Sequence, residues 1–327
     1  MKAAYYEAQG SARNVLKIGD FPIPEPGPDE VRVRIHVSGL NPTDVKARTG
    51  FSSEMPYKCI IPHQDGAGVI DAVGDNVSLD RLGERVWIYE AQYGRATGTA
   101  AEFVVVPSLQ AVHLPDAVSF EIGASLGIPA LTAHRCLFSD GSLEGRRVLI
   151  HGGAGVVGTS AILLSKWAGA WVCTTVMNSD QAVIAKENGA DLVLYRTSEN
   201  IADVILEVTG REGVDYIMDV ALKENFEVNM ACISQGGVIS SYATREASDE
   251  LSIPLLKAMM HGCVLRFVYI YNVVKEAKKT AIADINSCLE SGCYSPKIGL
   301  SVPLVAIADA HEALESSKVI GKVLIRI

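Results

Sequence analysis

The 327-residue sequence predicts an α/β protein in which a doubly wound parallel sheet is combined with a second, mainly β domain. Up to about residue 120, segments such as 31–40 alternate apolar and polar residues with a period of two, which is typical of strands. From about residue 141, short apolar segments alternate with helical patterns, which indicates β-α-β units and parallel strands. The change of period predicts a domain boundary near residue 120.

The first part of the chain has the features of a β domain. Segments 66–73 and 101–106 are β-rich, segment 21–30 is a proline-punctuated surface connection, and only 42–50 has a helical pattern, with Pro42 in its first turn. The C-terminal segment contains a short helix and an edge-like strand, and it resembles the first domain more than the parallel sheet. We therefore expect one domain from 1–122 and 297–327, and a second from 123–296.

Composition excludes several classes of protein. The hydrophobic content of 48% and the charged content of 20% fit an ordinary globular chain, and no apolar run is long enough to suggest a membrane span. A net charge of −9 is opposite to that of a nucleic-acid-binding surface. The N-terminus lacks a signal-peptide pattern, and the seven scattered cysteines form no CxxC. We expect a cytoplasmic protein with free thiols and neither nucleic-acid nor membrane partners.

A glycine-rich segment, GAGVVG at 153–158, matches the dinucleotide-binding pattern GxGxxG between an apolar strand and an apolar-periodic helix. Gly153 permits the tight turn, Gly155 admits a pyrophosphate, and Gly158 lets the helix pack closely on the strand. The backbone amides expected to face the phosphates belong to Ala154, Gly155, Val156 and Val157. This context favours a Rossmann domain over a glycine-rich turn that binds nothing.

The end of the second Rossmann strand selects the nucleotide. An Asp or Glu there binds the ribose hydroxyls of NAD, whereas this sequence has Met177 followed by Asn178 and Ser179. Because no acidic residue excludes a 2′-phosphate, the sequence favours NADP, with Asn178 and Ser179 as donors to the phosphate. Asp180 opposes this preference, and Arg196 is the nearest candidate cation.

Other cofactor contacts are expected where later strands end, since ligands bind at the carboxyl edge of a doubly wound sheet. The residues predicted at these strand ends are Tyr195, Tyr242, Ala243, Phe267 and Val268.

Four segments jointly resemble motifs of one enzyme family: SGLNPTDVKARTG at 38–50, IPHQDGAGVIDAVGDNV at 61–77, GTAAEFVVVP at 98–107 and ASLGIPALTAHRCL at 124–137. They are similar to those of the zinc-independent, zeta-crystallin-like quinone oxidoreductases among the medium-chain dehydrogenases/reductases. The resemblance implies a GroES-like catalytic domain, NADPH as hydride donor, a quinone as acceptor and a two-fold homodimer. It also implies that Thr132 approaches the nicotinamide.

The resemblance places Asn41 where alcohol dehydrogenases of this superfamily carry a zinc-ligating Cys, and Gln64 where they carry a His. Neither side chain is a usual zinc ligand, and His63 is one residue out of position. Segment 87–98, where the structural zinc loop would lie, contains no cysteine. We therefore expect no metal.

Without zinc, the accessible reaction is hydride delivery to an acceptor that is already electrophilic, such as a quinone or an α,β-unsaturated carbonyl compound. Asn41 and Asp44 begin the short helix that lines the family's active site, so Asn41 could donate to the acceptor oxygen or the nicotinamide ribose. The same residues also form a good turn and helix cap. Lys46 and Ser52 stand where the family often has aromatic residues, which puts quinone in question. An enoyl or alkenal double-bond reductase and a non-enzymatic NADPH-binding protein remain alternatives.

The long apolar segment 263–271 is predicted to be the last strand of the parallel sheet, at its edge. An exposed apolar edge invites pairing with another strand, which fits the homodimer implied by the resemblance. A helix covering that edge is the alternative.

Overall fold

The computed structural model describes residues 1–51 and 53–327, so Ser52 lies outside the described residues. The chain divides into two compact units, Met1–Ile128 with Lys297–Ile327, and Pro129–Pro296. The predicted fold class is confirmed, because one unit is mainly β and the other contains a parallel sheet. The domain boundaries expected from the sequence stay a prediction.

The first unit is built around a mainly antiparallel sheet, in which only β14 and β15 of the described strands pair in parallel. Its strands run in the order β14-β15-β3-β4-β5-β7, β6 also pairs with β3, and β1 pairs with β2 in a separate two-stranded ribbon. The elements are β1 (Lys2–Tyr5), α1 (Ala12–Val15), β2 (Lys17–Asp20), β3 (Glu30–Leu40), α2 (Pro42–Thr49), β4 (Asp65–Val73), β5 (Arg85–Ile88), β6 (Phe103–Pro107), β7 (Ala111–His113), α3 (Phe120–Gly123), β14 (Ile298–Pro303), α11 (Ile307–Glu315) and β15 (Lys322–Arg326).

Strand β3 shows why the sequence forms this sheet. Its apolar residues Val31, Val33 and Ile35 are buried in a cluster with residues of β4, β5 and β6, while Arg32 and Arg34 point to the other face. At its far end, β3 pairs antiparallel with the C-terminal strand β15. The last residues of the chain therefore join the β sheet of the first unit.

The short helix α2 follows directly from β3. Pro42 occupies its first turn, the backbone N–H of Asn41 donates to the carboxyl group of Asp44 at 2.8 Å, and Gly50 ends the helix with a φ of +77°. The predicted helix at 42–50 is confirmed.

The second unit contains a parallel sheet in the strand order β10-β9-β8-β11-β12-β13, the order of a Rossmann fold. Its elements are α4 (Gly127–Leu137, which begins in the first unit), β8 (Arg147–His151), α5 (Val156–Trp167), β9 (Trp171–Val176), α6 (Ser179–Glu187), β10 (Leu192–Tyr195), α7 (Ile201–Val208), β11 (Val214–Asp219), α8 (Leu222–Cys232), β12 (Ile233–Ser241), α9 (Leu255–His261), β13 (Val264–Phe267) and α10 (Lys275–Glu290).

The last strand, β13, is shorter than the sequence suggested. The prediction of a continuous strand at 263–271 is wrong, because its partner β12 ends at Ser241 and the last rung is the bond from Val268 N to Ser241 O at 2.7 Å. Beyond it, the chain turns through a 3₁₀ helix at Ile270–Asn272.

In the described part of the chain, no helix is both long and apolar enough to cross a membrane.

Candidate functional site

The glycine loop lies at the carboxyl edge of the parallel sheet. Strand β8 ends at His151, Gly152 turns the chain with a φ of +75°, and α5 begins just after Gly155. Gly155 has no side chain to cap α5, so the first amides of that helix face the loop without a side-chain partner. These amides and the positive end of the helix dipole are suited to a phosphate group.

The three glycines of the fingerprint have different surroundings. A Cβ on Gly153 would lie 2.0 Å from the Thr174 hydroxyl, and one on Gly158 would lie 2.3 Å from the Gly152 carbonyl oxygen. A Cβ on Gly155 would meet only that carbonyl, at 3.3 Å. Gly153 and Gly158 are therefore required by packing, while the space in front of Gly155 fits an approaching pyrophosphate. The expectation that Gly153 makes the tight turn is wrong, since the residue with the left-handed backbone is Gly152. Ala154, Val156 and Val157 occupy the remaining loop positions.

The residues predicted to select the nucleotide lie at the end of β9, where no carboxylate ends the strand. Met177 is half exposed, and Asn178 is the N-cap of α6, accepting the Gln181 N–H at 3.0 Å. The amide NH₂ of Asn178 is not used by this cap. Ser179 and Asp180 form the exposed first turn of α6.

The other predicted cofactor residues share this edge of the sheet. The register aligns Asp219 of β11 with Ser241 of β12 and with Phe267 of β13. Tyr195 ends β10, Tyr242 and Ala243 follow β12, and Phe267 and Val268 lie at the end of β13.

Two of these predicted residues differ in exposure. Phe267 is 69% exposed, whereas Tyr242 is partly buried, and burial raises the pKa of its phenol. Thr132, predicted to be catalytic, is buried on α4 in this same unit. No observation assigns these side chains a chemical role, so their roles stay predictions.

In the first unit, Asn41 belongs to a buried charged cluster. The Lys322 ammonium donates to Asn41 Oδ1 at 2.7 Å and to Asp65 Oδ2 at 3.1 Å, and Asn41 Nδ2 donates to the same Asp65 oxygen at 2.7 Å. The backbone N–H of Ile128 binds the other Asp65 oxygen at 2.8 Å. The Lys322 and Asp65 side chains are fully buried, so the ion pair is excluded from water.

Gln64, which stands in place of a zinc-ligating His, has its own partners. Its amide oxygen accepts the Gln92 N–H and its Nε2 donates to the Gln92 side chain, each at 3.1 Å. Across residues 1–51 and 53–327, no three His, Cys, Asp or Glu side chains are grouped to hold a metal ion. The side-chain amides of Asn41 and Gln64 are thus engaged in hydrogen bonds, and an amide is not a usual zinc ligand.

The carboxyl group of Asp44 is buried beside this cluster. Burial, together with the nearby Asp65 carboxylate, raises the pKa of Asp44 to about 8. One of its oxygens accepts the Asn41 N–H, while the other, Oδ1, has no hydrogen-bond partner. Asp44 is therefore mostly protonated at neutral pH.

Sequence reasoning missed two buried polar groupings that support these sites. In the first unit, His63 Nε2 and His311 Nε2 are 3.0 Å apart, and burial lowers the pKa of both rings. In the second unit, His151 precedes the glycine loop and is connected to Asp219 through Asn229. The position of His151 beside the glycine run was visible in the sequence, but its bond to Asn229, 78 residues away, was not.

Comparison with known families agrees with this architecture. Residues 27–116 match the family described as alcohol dehydrogenase GroES-like domain, and residues 156–287 match the one described as zinc-binding dehydrogenase. A GroES-like domain joined to a Rossmann sheet defines a medium-chain dehydrogenase/reductase. The second match does not include Asn41 or Gln64, so its description says nothing about zinc at those positions.

Individual relatives narrow the class. The quinone oxidoreductase of Homo sapiens is 30% identical over 317 residues, which cover 95% of this chain and 93% of the relative. Two solved structures each align over 100% of both chains: an NAD-dependent alcohol dehydrogenase (28% identity, TM-score 0.89) and a mycobacterial protein complexed with NADPH (26% identity, TM-score 0.86). The chain belongs to the quinone oxidoreductase family and is an oxidoreductase.

The buried ion pair gives a first prediction. Lys322→Met leaves the Asp65 carboxylate buried without its counter-charge, so we expect the free energy of unfolding to fall by about 3–5 kcal/mol. Urea denaturation measures this loss, with the exposed Lys318→Met as control. The double variant Lys322→Met with Asp65→Asn should recover part of the stability, because the buried charge is removed. A single variant within about 0.5 kcal/mol of the unmodified protein would contradict the role of the pair.

The raised pKa of Asp44 gives a second prediction. Between about pH 4 and pH 8 the folded chain keeps a proton that the unfolded chain has lost, so this group destabilises the fold increasingly as pH rises. Asp44→Asn lacks this contribution, and its stability relative to the unmodified protein should rise by about 1 kcal/mol per pH unit from pH 5 to pH 8. Contributions of His63 and His311 cancel in that difference.

Urea denaturation at several pH values measures the relative stability of Asp44→Asn. The fully exposed Asp116→Asn is the matched control and should follow the unmodified protein at every pH. Parallel curves for Asp44→Asn and the unmodified protein would show that Asp44 is ionised in the folded state.

Proposed function

We propose that the protein transfers hydride from NADPH to a quinone or a similar electrophilic acceptor without zinc. The observation that carries the proposal is the carboxyl edge of the Rossmann sheet. There, a glycine loop leaves room at Gly155 for a pyrophosphate, and β9 ends without the carboxylate that would exclude a 2′-phosphate.

NADP is the cofactor of this chain. The prediction is confirmed by the mycobacterial structure described above, which is complexed with NADPH. Of the loop amides from Ala154 to Val157, that of Gly155 already donates to the Gly152 carbonyl oxygen, so the amides of Ala154, Val156 and Val157 would hold the pyrophosphate. Asn178 and Ser179 would donate to the 2′-phosphate. When bound, NADPH supplies the hydride, and the chain supplies binding and orientation.

The chemistry around Asn41 supports a reaction without zinc. Zinc would need an anionic or neutral donor with a free lone pair at this position, but the Asn41 oxygen already binds the Lys322 ammonium. A second cation beside that buried ammonium would be repelled. An acceptor such as a quinone needs no Lewis acid to activate it, since it is already electrophilic.

We assign the three predicted catalytic residues three different roles. Asn41 commits one amide hydrogen to Asp65, and we assign its second hydrogen to the acceptor oxygen or the nicotinamide ribose. Asp44 holds the start of α2, and with it the orientation of Asn41. Thr132 is assigned to the nicotinamide by family resemblance.

A panel of acceptors tests the function. NADPH oxidation is followed spectrophotometrically with quinones, short α,β-unsaturated aldehydes and ketones, and simple alcohols assayed in the reverse direction with NADP⁺. We expect turnover with quinones, no alcohol oxidation, and well under one zinc per chain by elemental analysis. Turnover of enones but not quinones would identify a double-bond reductase, and NADPH binding without any turnover would identify a non-enzymatic protein.

We also propose a homodimer formed through β13. This strand is the last of the parallel sheet, and exposed apolar side chains occur in it and in the segments just before and after it: Leu255, Leu256, Met259, Met260, Phe267 and Val274. An apolar edge of this kind is expected to be covered by a second copy. Sedimentation velocity should give a dimer at micromolar concentration, and Met259→Lys with Phe267→Lys should shift it towards monomer. A monomeric unmodified protein would contradict the proposal.

The choice of nucleotide gives a further prediction. We expect NADPH to bind more tightly than NADH by roughly ten- to a hundredfold, since one or two charge-assisted hydrogen bonds to the 2′-phosphate contribute about 1.5–3 kcal/mol each. Met177→Asp should reverse this preference, because its carboxylate accepts from a ribose diol and repels a phosphate. Met177→Leu is the uncharged control. Tighter binding of NADH by the unmodified protein would identify Asp180 as the ribose anchor.

A further inference from the structure

His151 is the last residue of β8, next to the glycine loop, and its ring is buried with two partners. Nε2 lies 2.8 Å from Asn229 Oδ1, and Nδ1 lies 3.2 Å from the Thr175 hydroxyl. Behind Asn229, its Nδ2 donates to Asp219 Oδ2 at 2.6 Å. His151, Thr175, Asn229 and Asp219 are each at most 3% exposed, so the whole chain of hydrogen bonds is shielded from water.

The chemistry of the partners fixes the direction of every bond in this chain. The carboxylate oxygens of Asp219 are acceptors, so the Asn229 group that faces them is its amide nitrogen. Asn225 and the backbone of Ala221 donate to the same carboxylate. The Asn229 oxygen must then accept from His151, which places the ring proton on Nε2. Burial lowers the pKa of His151, so the ring is neutral and Nδ1 is an acceptor.

Because Nδ1 accepts, the hydroxyl hydrogen of Thr175 is directed to the ring and the hydroxyl lone pairs remain for another donor. That donor is the backbone N–H of Gly152, at 3.2 Å. The backbone oxygen of Thr175 also accepts the Gly153 N–H at 3.2 Å. One residue of β9 therefore holds the two peptides with which the glycine loop begins.

The position of Gly152 determines the rest of the loop. Its carbonyl oxygen accepts the Gly155 N–H at 3.0 Å, and it is the atom against which Gly155 and Gly158 pack most closely. A displacement of this peptide would move both glycines of the fingerprint. The carboxylate of Asp219 is thus connected, through Asn229, His151 and Thr175, to the backbone that faces the pyrophosphate.

We propose that His151 and Thr175 are positioning residues for the cofactor. The buried series of hydrogen bonds that starts at Asp219 orients the Thr175 hydroxyl. That hydroxyl fixes the Gly152 peptide and with it the pyrophosphate-binding loop. This inference rests on the proposed function, since it assumes that NADPH occupies the glycine loop. It assigns a role to residues that contact neither the hydride nor the acceptor.

The test removes the hydroxyl group and measures affinity for two ligands by calorimetry. Thr175→Val should raise the Kd for NADPH about tenfold, the effect of one buried hydrogen bond, and Thr175→Ser should restore it to within about twofold. The Kd for adenosine 2′-monophosphate, which lacks the pyrophosphate, should stay unchanged in both variants. A general loosening of the domain would weaken both ligands.

Ser240→Ala is the matched control. It deletes another buried hydroxyl of the same sheet, whose hydrogen bond goes to the Cys136 carbonyl at 2.7 Å, away from the loop. We expect Ser240→Ala to lose stability while keeping its affinity for NADPH. Unchanged NADPH affinity in Thr175→Val, or equal loss for both ligands, would overturn the inference.

A second measurement uses the unmodified protein. In ¹⁵N-histidine-labelled protein at pH 7.5, the His151 ring should carry its proton on Nε2 alone, and a proton on Nδ1 would overturn the inference. Neither experiment contains an acceptor, so a wrong acceptor class in the proposed function would leave these results unchanged. Failure of the unmodified protein to bind NADPH would instead contradict the proposed function itself.

Discussion

The ion pair between Lys322 and Asp65 is the interaction on which the first unit depends. Burying two charges is costly unless the geometry is good and the remaining lone pairs are satisfied. Here Asp65 also accepts from Asn41 and from the Ile128 backbone, and Lys322 also donates to Asn41. Since Lys322 begins β15, Asp65 begins β4 and Asn41 precedes α2, one cluster fixes the C-terminal strand, the sheet and the helix that presents Asn41.

The second unit has a similar buried carboxylate, that of Asp219, at the carboxyl edge of its parallel sheet. Asp219 ends β11 and has no exposure, and its oxygens accept three N–H donors from α8 and the preceding turn. In both units a buried carboxylate at one end of a strand accepts several N–H groups and thereby determines the direction of nearby backbone. Such networks are rigid when every member has a partner, which suits a site that must orient a nucleotide.

The sequence carried the local features of the fold, and it could not carry the distant pairings. Helix α2, the glycine loop and the order of β-α-β units follow from spacing, Pro and Gly, because these signals act within a few residues. The contact between Asn41 and Lys322 joins residues 281 apart, and no local pattern encodes it. The length of β13 was misjudged for the same reason: an apolar run ends as a strand where its partner β12 ends, and apolarity alone does not show that limit.

The buried ammonium of Lys322 gives a structural meaning to the Asn that the sequence has in place of a zinc ligand. An Asn in place of a zinc ligand is only a missing donor when read in sequence, but in the fold its oxygen binds a buried ammonium, so a positive charge already occupies its neighbourhood. That charge is balanced by Asp65 and cannot act as a Lewis acid, because its three hydrogens are donors and it offers no vacant coordination position. Under the proposed function, orientation of NADPH and hydrogen bonds to the acceptor oxygen take the place of a Lewis acid, and both require a rigid backbone more than a reactive side chain.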